Sequence, residues 1–181
     1  MQILNAPNIL ALFRILLAPL MLFFLIERDS SLLAGIHYTW LDYFAALIFV
    51  IASVTDFFDG YIARNFNQIT TLGKIIDPLA DKMLVLAGFL GLMMIDRASG
   101  WLVFLIFTRE FFVTGLRVMA AGEGIDVAAS MLGKVKTIVQ MVAIGWLLMD
   151  WPLAQYIFYA AVIITLYSGY EYTVGYVKKS R

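Results

Sequence analysis

The sequence predicts an all-α fold, an integral membrane bundle of six transmembrane helices with both termini in the cytoplasm. Hydrophobic residues fill 62% of the 181 positions and charged residues only 14%, against about 25% charged in soluble domains. With a mean hydropathy of +0.88, the chain lacks the polar residues needed to cover a water-facing surface. Six apolar runs follow one another, each close to the roughly 20 residues that a spanning helix needs. The basic residues are also unevenly placed. Arg64, Lys74, Lys82, Arg109, Arg117, Lys134, Lys136, Lys178, Lys179 and Arg181 fall at one end of the alternating helices, and only Arg28 and Arg97 at the other. Basic residues stay on the cytoplasmic side of a membrane, which orients the bundle.

The six helices are expected near 9–27, 41–64, 78–95, 101–121, 132–150 and 153–177. Their connections are short, and no linker, repeat or low-complexity run divides them, so residues 1–181 read as one domain. The first run has no Lys or Arg before it and is long enough to span, which predicts a retained helix and not a cleaved signal. The formal net charge is zero, and no nucleic-acid partner is expected. The absence of cysteine excludes disulfides and thiolate metal sites. His37 is the only histidine and has no second histidine to share a metal.

The first helix opens on Asn5, Pro7 and Asn8 and carries Arg14 inside its apolar run. An arginine at that depth costs a few kcal/mol unless it snorkels to the interface or faces a polar cavity. Both alternatives stand on the sequence alone.

The second and third helices frame the chemistry. From Asp56 to Asp81 the chain has the pattern D-x2-D-G-x2-A-R-x8-G-x3-D-x3-D, with Asp56, Asp59, Gly60, Ala63, Arg64, Gly73, Asp77 and Asp81 at its fixed positions. Residues three or four apart share a helical face, so Asp56 pairs with Asp59 and Asp77 with Asp81. A short connection brings the two pairs together. Crowded carboxylates at a membrane boundary call for a compensating cation, and hard oxygen donors select Mg2+, Mn2+ or Ca2+. Gly60, Ala63 and Gly73 leave room for a neighbouring helix or a phosphate. Arg64, at the end of its helix, can reach a phosphate as well. Asp77 before Pro78 also has the form of a helix N-cap with proline at N1, which would explain one aspartate but not four.

Helix four turns from apolar to charged at Arg109, Glu110 and Arg117. Ionisable residues inside a membrane helix usually line a ligand path. Helix five opens on Lys134 and Lys136, near backbone N–H groups that favour an anion. Together these four cations would suit a phosphate. The plainer alternative is a positive-inside belt in which Glu110 neutralises Arg109. Lys134 and Lys136 stand about 200° apart on a helix, so at most one points fully inward. Helices five and six are otherwise aromatic and apolar, with Trp146, Trp151, Tyr156, Tyr159 and Tyr167 as interfacial and packing residues.

The aspartate pattern resembles the signature of the CDP-alcohol phosphotransferases, integral membrane enzymes that join a phosphatidyl or similar group to an alcohol and release CMP. The stretch Pro7 to Arg14, read P-N-x-L-x-x-x-R, is similar to their first helix, although many relatives have threonine where this chain has Ala11. REFFVTGLR at 109–117 and GKVKT at 133–137 resemble the bacterial phosphatidylglycerophosphate synthases, the branch whose acceptor is glycerol 3-phosphate. The likeness covers nearly the whole chain.

The resemblance implies transfer of a phosphatidyl group from CDP-diacylglycerol to glycerol 3-phosphate, giving phosphatidylglycerophosphate and CMP. It implies two Mg2+ or Mn2+ ions held by Asp56, Asp59, Asp77 and Asp81, with Asp81 also the catalytic base. Asn8, Asp59, Gly60, Ala63, Arg64 and Gly73 would bind the nucleotide donor. Arg14, Arg109, Arg117, Lys134 and Lys136 would bind the acceptor phosphate. A homodimer among membrane lipids is implied too, in the inner or cytoplasmic membrane with the site at the cytoplasmic face. Two other readings compete: the same chemistry with inositol phosphate, phosphatidylglycerol or serine as acceptor, and a divalent-cation carrier.

Overall fold

The structure, a computed structural model, describes residues 5–65, 73–124 and 131–180, and at residues 6, 57–65 and 74 the backbone only. The described residues form six α-helices: α1 Ala6–Ile26, α2 Tyr38–Asn65, α3 Gly73–Met94, α4 Gly100–Gly122, α5 Met131–Leu148 and α6 Ala154–Lys179. A short 3-10 turn, Glu27–Asp29, follows α1, and no strand occurs among the described residues.

The expected helices are recovered within a few residues at most ends, and the start of α3 is the main departure. It begins at Gly73 with Pro78 inside it, so Asp77 is a helical residue and not a cap. A proline one turn in removes a single i→i−4 hydrogen bond beside N–H groups that have no partner in any helix. The helix therefore continues through it, and Asp77 and Asp81 share one face.

Pro7–Asp29, Tyr38–Asp56 and Met131–Leu148 are long and apolar enough to cross a membrane. The other three helices fall short of that measure for visible reasons. Asp77, Asp81 and Lys82 lie in α3, Arg109, Glu110 and Arg117 lie in α4, and α6 carries a series of tyrosines.

The helices group into two compact units. One takes in the residues up to Arg97 together with Leu148–Trp151, the other Ala98–Leu147 and the residues from Pro152 onward.

In the first unit α1 is the shared neighbour, packing along both α2 and α3, which touch each other little. Asn5 caps α1 by accepting a hydrogen bond from the Asn8 backbone N–H at 3.1 Å. Small buried residues line the contacts: Ala11 and Ala18 on α1, Ala45 and Ala52 on α2, Ala80 and Ala87 on α3. Small side chains let membrane helices approach closely. Gly91 of α3 sits against α1, where an added Cβ would stand 2.4 Å from Leu25 Cδ1.

The far end of this unit is closed by a buried carboxylate. Asp42 accepts hydrogen bonds from Arg28 Nη2 at 2.6 Å and Arg97 Nη2 at 2.7 Å. Arg97 also donates from Nη1 to the Leu148 carbonyl at 2.8 Å.

In the second unit α4 and α6 run parallel. Arg109 meets Ser168, Arg117 lies over Tyr172 and Glu123 meets Tyr176, so residue numbers rise together along both helices. The buried face of α4 comprises Val103, Ile106, Arg109, Val113 and Ala120, a helical stripe that includes one charge. α5 joins through Lys136 and Gln140, one turn apart.

Candidate active site

The first unit gathers two of the motif aspartates on Arg14. The guanidinium Nη1 is ion-paired with Asp56 of α2 and with Asp81 of α3. The Arg14 side chain has no exposed surface, while those of Asp56 and Asp81 remain 31% and 37% exposed. Arg14 thus does not snorkel: carboxylates from both helices that α1 touches neutralise it in place.

Helix lengths explain why these residues meet. Ala6 to Arg14 and Gly73 to Asp81 are eight steps each, and Asp56 to Asn65 is nine. At 1.5 Å per residue, all three groups lie about 12–14 Å from the helix ends on one side of the unit. Antiparallel α1 and α2, with α3 parallel to α1, place them at one level.

Asp77 lies a helical turn before Asp81. Its Oδ1 is buried and has no hydrogen-bond partner among the described residues. An orphaned buried carboxylate oxygen is costly unless a cation meets it. Among the described residues no group of three or more His, Cys, Asp or Glu side chains is close enough to hold a metal ion. The Asp59 side chain lies outside them. The donor chemistry, all carboxylate oxygen, fits a hard divalent ion. Asp56 and Asp81 are half-buried and the Asp77 oxygen is orphaned, but the three do not converge on one point in this arrangement.

Of the expected donor-binding residues, Asn8 and Gly73 are buried near the starts of α1 and α3. At Gly60, Ala63 and Arg64 everything beyond the backbone path of α2 lies outside the described residues.

The second unit holds a separate polar cluster. Arg109 is buried, donating from Nη2 to Ser168 Oγ at 2.6 Å and from Nη1 to Glu110 Oε1 at 3.3 Å. Lys136 is ion-paired with the same Glu110 oxygen. Gln140 Nε2 donates to Thr165 Oγ1 at 2.7 Å, both residues being buried. Arg117 is exposed, with Cζ 5.7 Å from the centre of the Tyr172 ring, within cation–π range.

The four acceptor cations expected on α4 and α5 therefore divide, the fifth, Arg14, being held in the first unit. Arg109 and Lys136 converge on Glu110, Arg117 stacks on α6 two turns further along, and Lys134 is exposed on another face of α5. The 200° between the two lysines is realised as one inside and one outside. Sequence reasoning did not single out Glu110 as a shared anchor, nor Ser168, Thr165 and Gln140 as members of the cluster. A serine or threonine in an apolar helix gives no signal until its partner helix is known.

Known proteins match the chain along most of its length. The family model described as CDP-alcohol phosphatidyltransferase matches residues 4–167. A Bacillus subtilis protein named CDP-diacylglycerol–glycerol-3-phosphate 3-phosphatidyltransferase is 43% identical, over 93% of this chain and 93% of its own. Proteins of the same name from Escherichia coli K12, 39% identical over 93% of this chain and 92% of that one, and from Rickettsia felis, 37% identical over 93% of both, are also similar. Members of this family generally depend on a divalent metal ion. With the family model spanning both units and two of the motif aspartates held at one level of the first, the chain belongs to the CDP-alcohol phosphatidyltransferase family.

Proposed function

We propose that this protein transfers the phosphatidyl group of CDP-diacylglycerol to the 1-hydroxyl of glycerol 3-phosphate, giving phosphatidylglycerophosphate and CMP. The observation that carries the proposal is the identity of 37–43% across 93% of the chain with proteins named for that reaction.

The proposed site uses Asp56, Asp59, Asp77 and Asp81 as ligands for two Mg2+ or Mn2+ ions. When bound, these ions would neutralise the donor pyrophosphate and the oxygen that leaves with CMP. Asp81 is the proposed base, taking the proton of the acceptor hydroxyl as that oxygen bonds to the lipid-linked phosphorus. Arg14 holds Asp56 and Asp81 at one level, and in the second unit Arg109, Arg117 and Lys136 are proposed to bind acceptor phosphate, with Lys134 facing away from them. Asn8, Asp59, Gly60, Ala63, Arg64 and Gly73 are proposed to hold the nucleotide donor, the small residues by leaving space against the helix backbone.

The reaction suits a membrane boundary. Donor acyl chains stay in the bilayer and the water-soluble acceptor arrives from the cytosol. We place the protein in the cytoplasmic membrane with both termini and the site on the cytoplasmic side, as a homodimer.

The test is CMP release by purified protein from CDP-diacylglycerol with Mg2+, offering glycerol 3-phosphate, inositol phosphate, serine, phosphatidylglycerol or no acceptor in parallel. Release that depends on glycerol 3-phosphate is expected. Release driven by another acceptor would overturn the acceptor assignment.

A further inference from the structure

Arg109 reaches its place through two neighbouring residues of α6. Its Nη2 donates to Ser168 Oγ at 2.6 Å, a charge-assisted bond between two buried groups. Its stem crosses the α6 backbone at Gly169. A Cβ added there would stand 2.8 Å from Arg109 Cγ, 3.3 Å from Nε and 3.6 Å from Cδ. Contacts under 3 Å to the base of a side chain cannot be relieved by moving its tip alone, so the arginine would have to leave its rotamer.

Other glycines of the same unit differ. An added Cβ at Gly115, Gly145 or Gly175 meets nothing within 4 Å. Of the two glycines of α6, Gly169 meets Arg109 closely and Gly175 stands open. Glu110 supplies the other described contact, a longer one at 3.3 Å, and shares its carboxylate with Lys136. The Arg109 Nε remains buried and without a hydrogen-bond partner among the described residues.

We propose that Ser168 and Gly169 form a seat on α6 that positions the Arg109 guanidinium for the acceptor's phosphate, making them determinants of acceptor affinity. Ser168 fixes one nitrogen, and the bare backbone at Gly169 lets the stem lie flat. The proposal rests on the reading of Arg109 as an acceptor-phosphate contact. The two residues act through Arg109 and touch no substrate.

The experiment is a double-mutant cycle on purified full-length protein, with KM for glycerol 3-phosphate, KM for CDP-diacylglycerol and kcat measured for Gly169→Ala, Ser168→Ala, Arg109→Lys and both pairings with Arg109→Lys. Gly175→Ala is the control for alanine in the same helix. The expected result is a rise of about tenfold in the glycerol 3-phosphate KM for Gly169→Ala, the scale of one charge-assisted hydrogen bond. The donor KM and kcat should stay within about twofold. That rise should disappear when Arg109→Lys is already present, because residues acting through one group are not additive. Gly175→Ala should match wild type.

An unchanged acceptor KM in Gly169→Ala, alongside a raised one in Arg109→Lys, would overturn the seat while leaving the acceptor reading intact. An unchanged acceptor KM in Arg109→Lys would overturn the acceptor reading and the proposal with it. Equal losses in all parameters in both backgrounds would mark simple packing damage and overturn the seat. If Gly169→Ala fails to fold, Ser168→Ala, which only removes a hydroxyl, is judged by the same cycle.

Discussion

A single guanidinium joins two motif carboxylates of the first unit. Arg14 has no exposed surface and meets Asp56 and Asp81 from two different helices. Its two carboxylate partners are about a third exposed, so water shares in neutralising them, while the guanidinium itself has no access to water and depends on them for compensation. That places Arg14 in the architecture of the site whatever it contacts in substrate. Asp77 differs, because its buried Oδ1 has no hydrogen-bond partner among the described residues. Asp77→Asn keeps size and shape while removing the charge. It should lower CMP release by at least about a thousandfold, the scale of losing an essential electrostatic group. Thermal stability in detergent should match wild type or exceed it. Activity surviving within tenfold would remove Asp77 from the metal-binding set.

At the scale of helices, α1 determines what α2 and α3 can do. Both pack along it and touch each other little, so the aspartates meet across Arg14 and not across a direct α2–α3 contact. Gly91 leaves room for Leu25 where α3 meets α1. Gly91→Leu would drive a side chain into Leu25 and should lower stability by about 1–3 kcal/mol through overpacking, read as a fall in melting temperature. Gly145→Leu, where an added Cβ meets nothing within 4 Å, should fall by less.

Much of this level was legible in the chain, because six apolar runs dictate six helices, and the motif spacing puts Asp56 and Asp81 on faces that meet at Arg14. The start of α3 was not, since Pro78 has the form of a first helical residue and Gly73 that of a connection. Proline's lost hydrogen bond is simply tolerated a turn later. The pairing of Arg109 with Ser168 was not legible either. It links residues 59 apart, and only the parallel packing of α4 on α6 brings them together.

For the molecule as a whole, metal dependence and orientation are the exposed claims. EDTA should abolish turnover, and Mg2+ or Mn2+ in excess should restore it. Full activity in chelator would overturn the two-ion mechanism. Orientation can be read by single-cysteine labelling, because the sequence has no cysteine of its own. Ser180→Cys should react with a membrane-impermeant maleimide only after cells are opened, and Ser31→Cys should react in intact cells whose outer barrier is permeable. The reverse pattern would invert the protein in the membrane. The outward apolar residues, such as Phe104, Phe111 and Phe112 on α4 and Ile163 and Tyr167 on α6, are suited to lipid contact.

The Asp42 clamp has a consequence in time. Arg28, Asp42 and Arg97 emerge from the ribosome in that order, but the carbonyl that Arg97 also holds belongs to Leu148, 51 residues later. At about 5–20 residues per second, that interval is about 3 to 10 s. By then Arg14, Asp56 and Asp81 have all been synthesised. The ion pairs of Arg14 can therefore form before the opposite end of the unit is fastened, and a nascent chain from which Arg97 has just emerged would carry those pairs with that last fastening still to come.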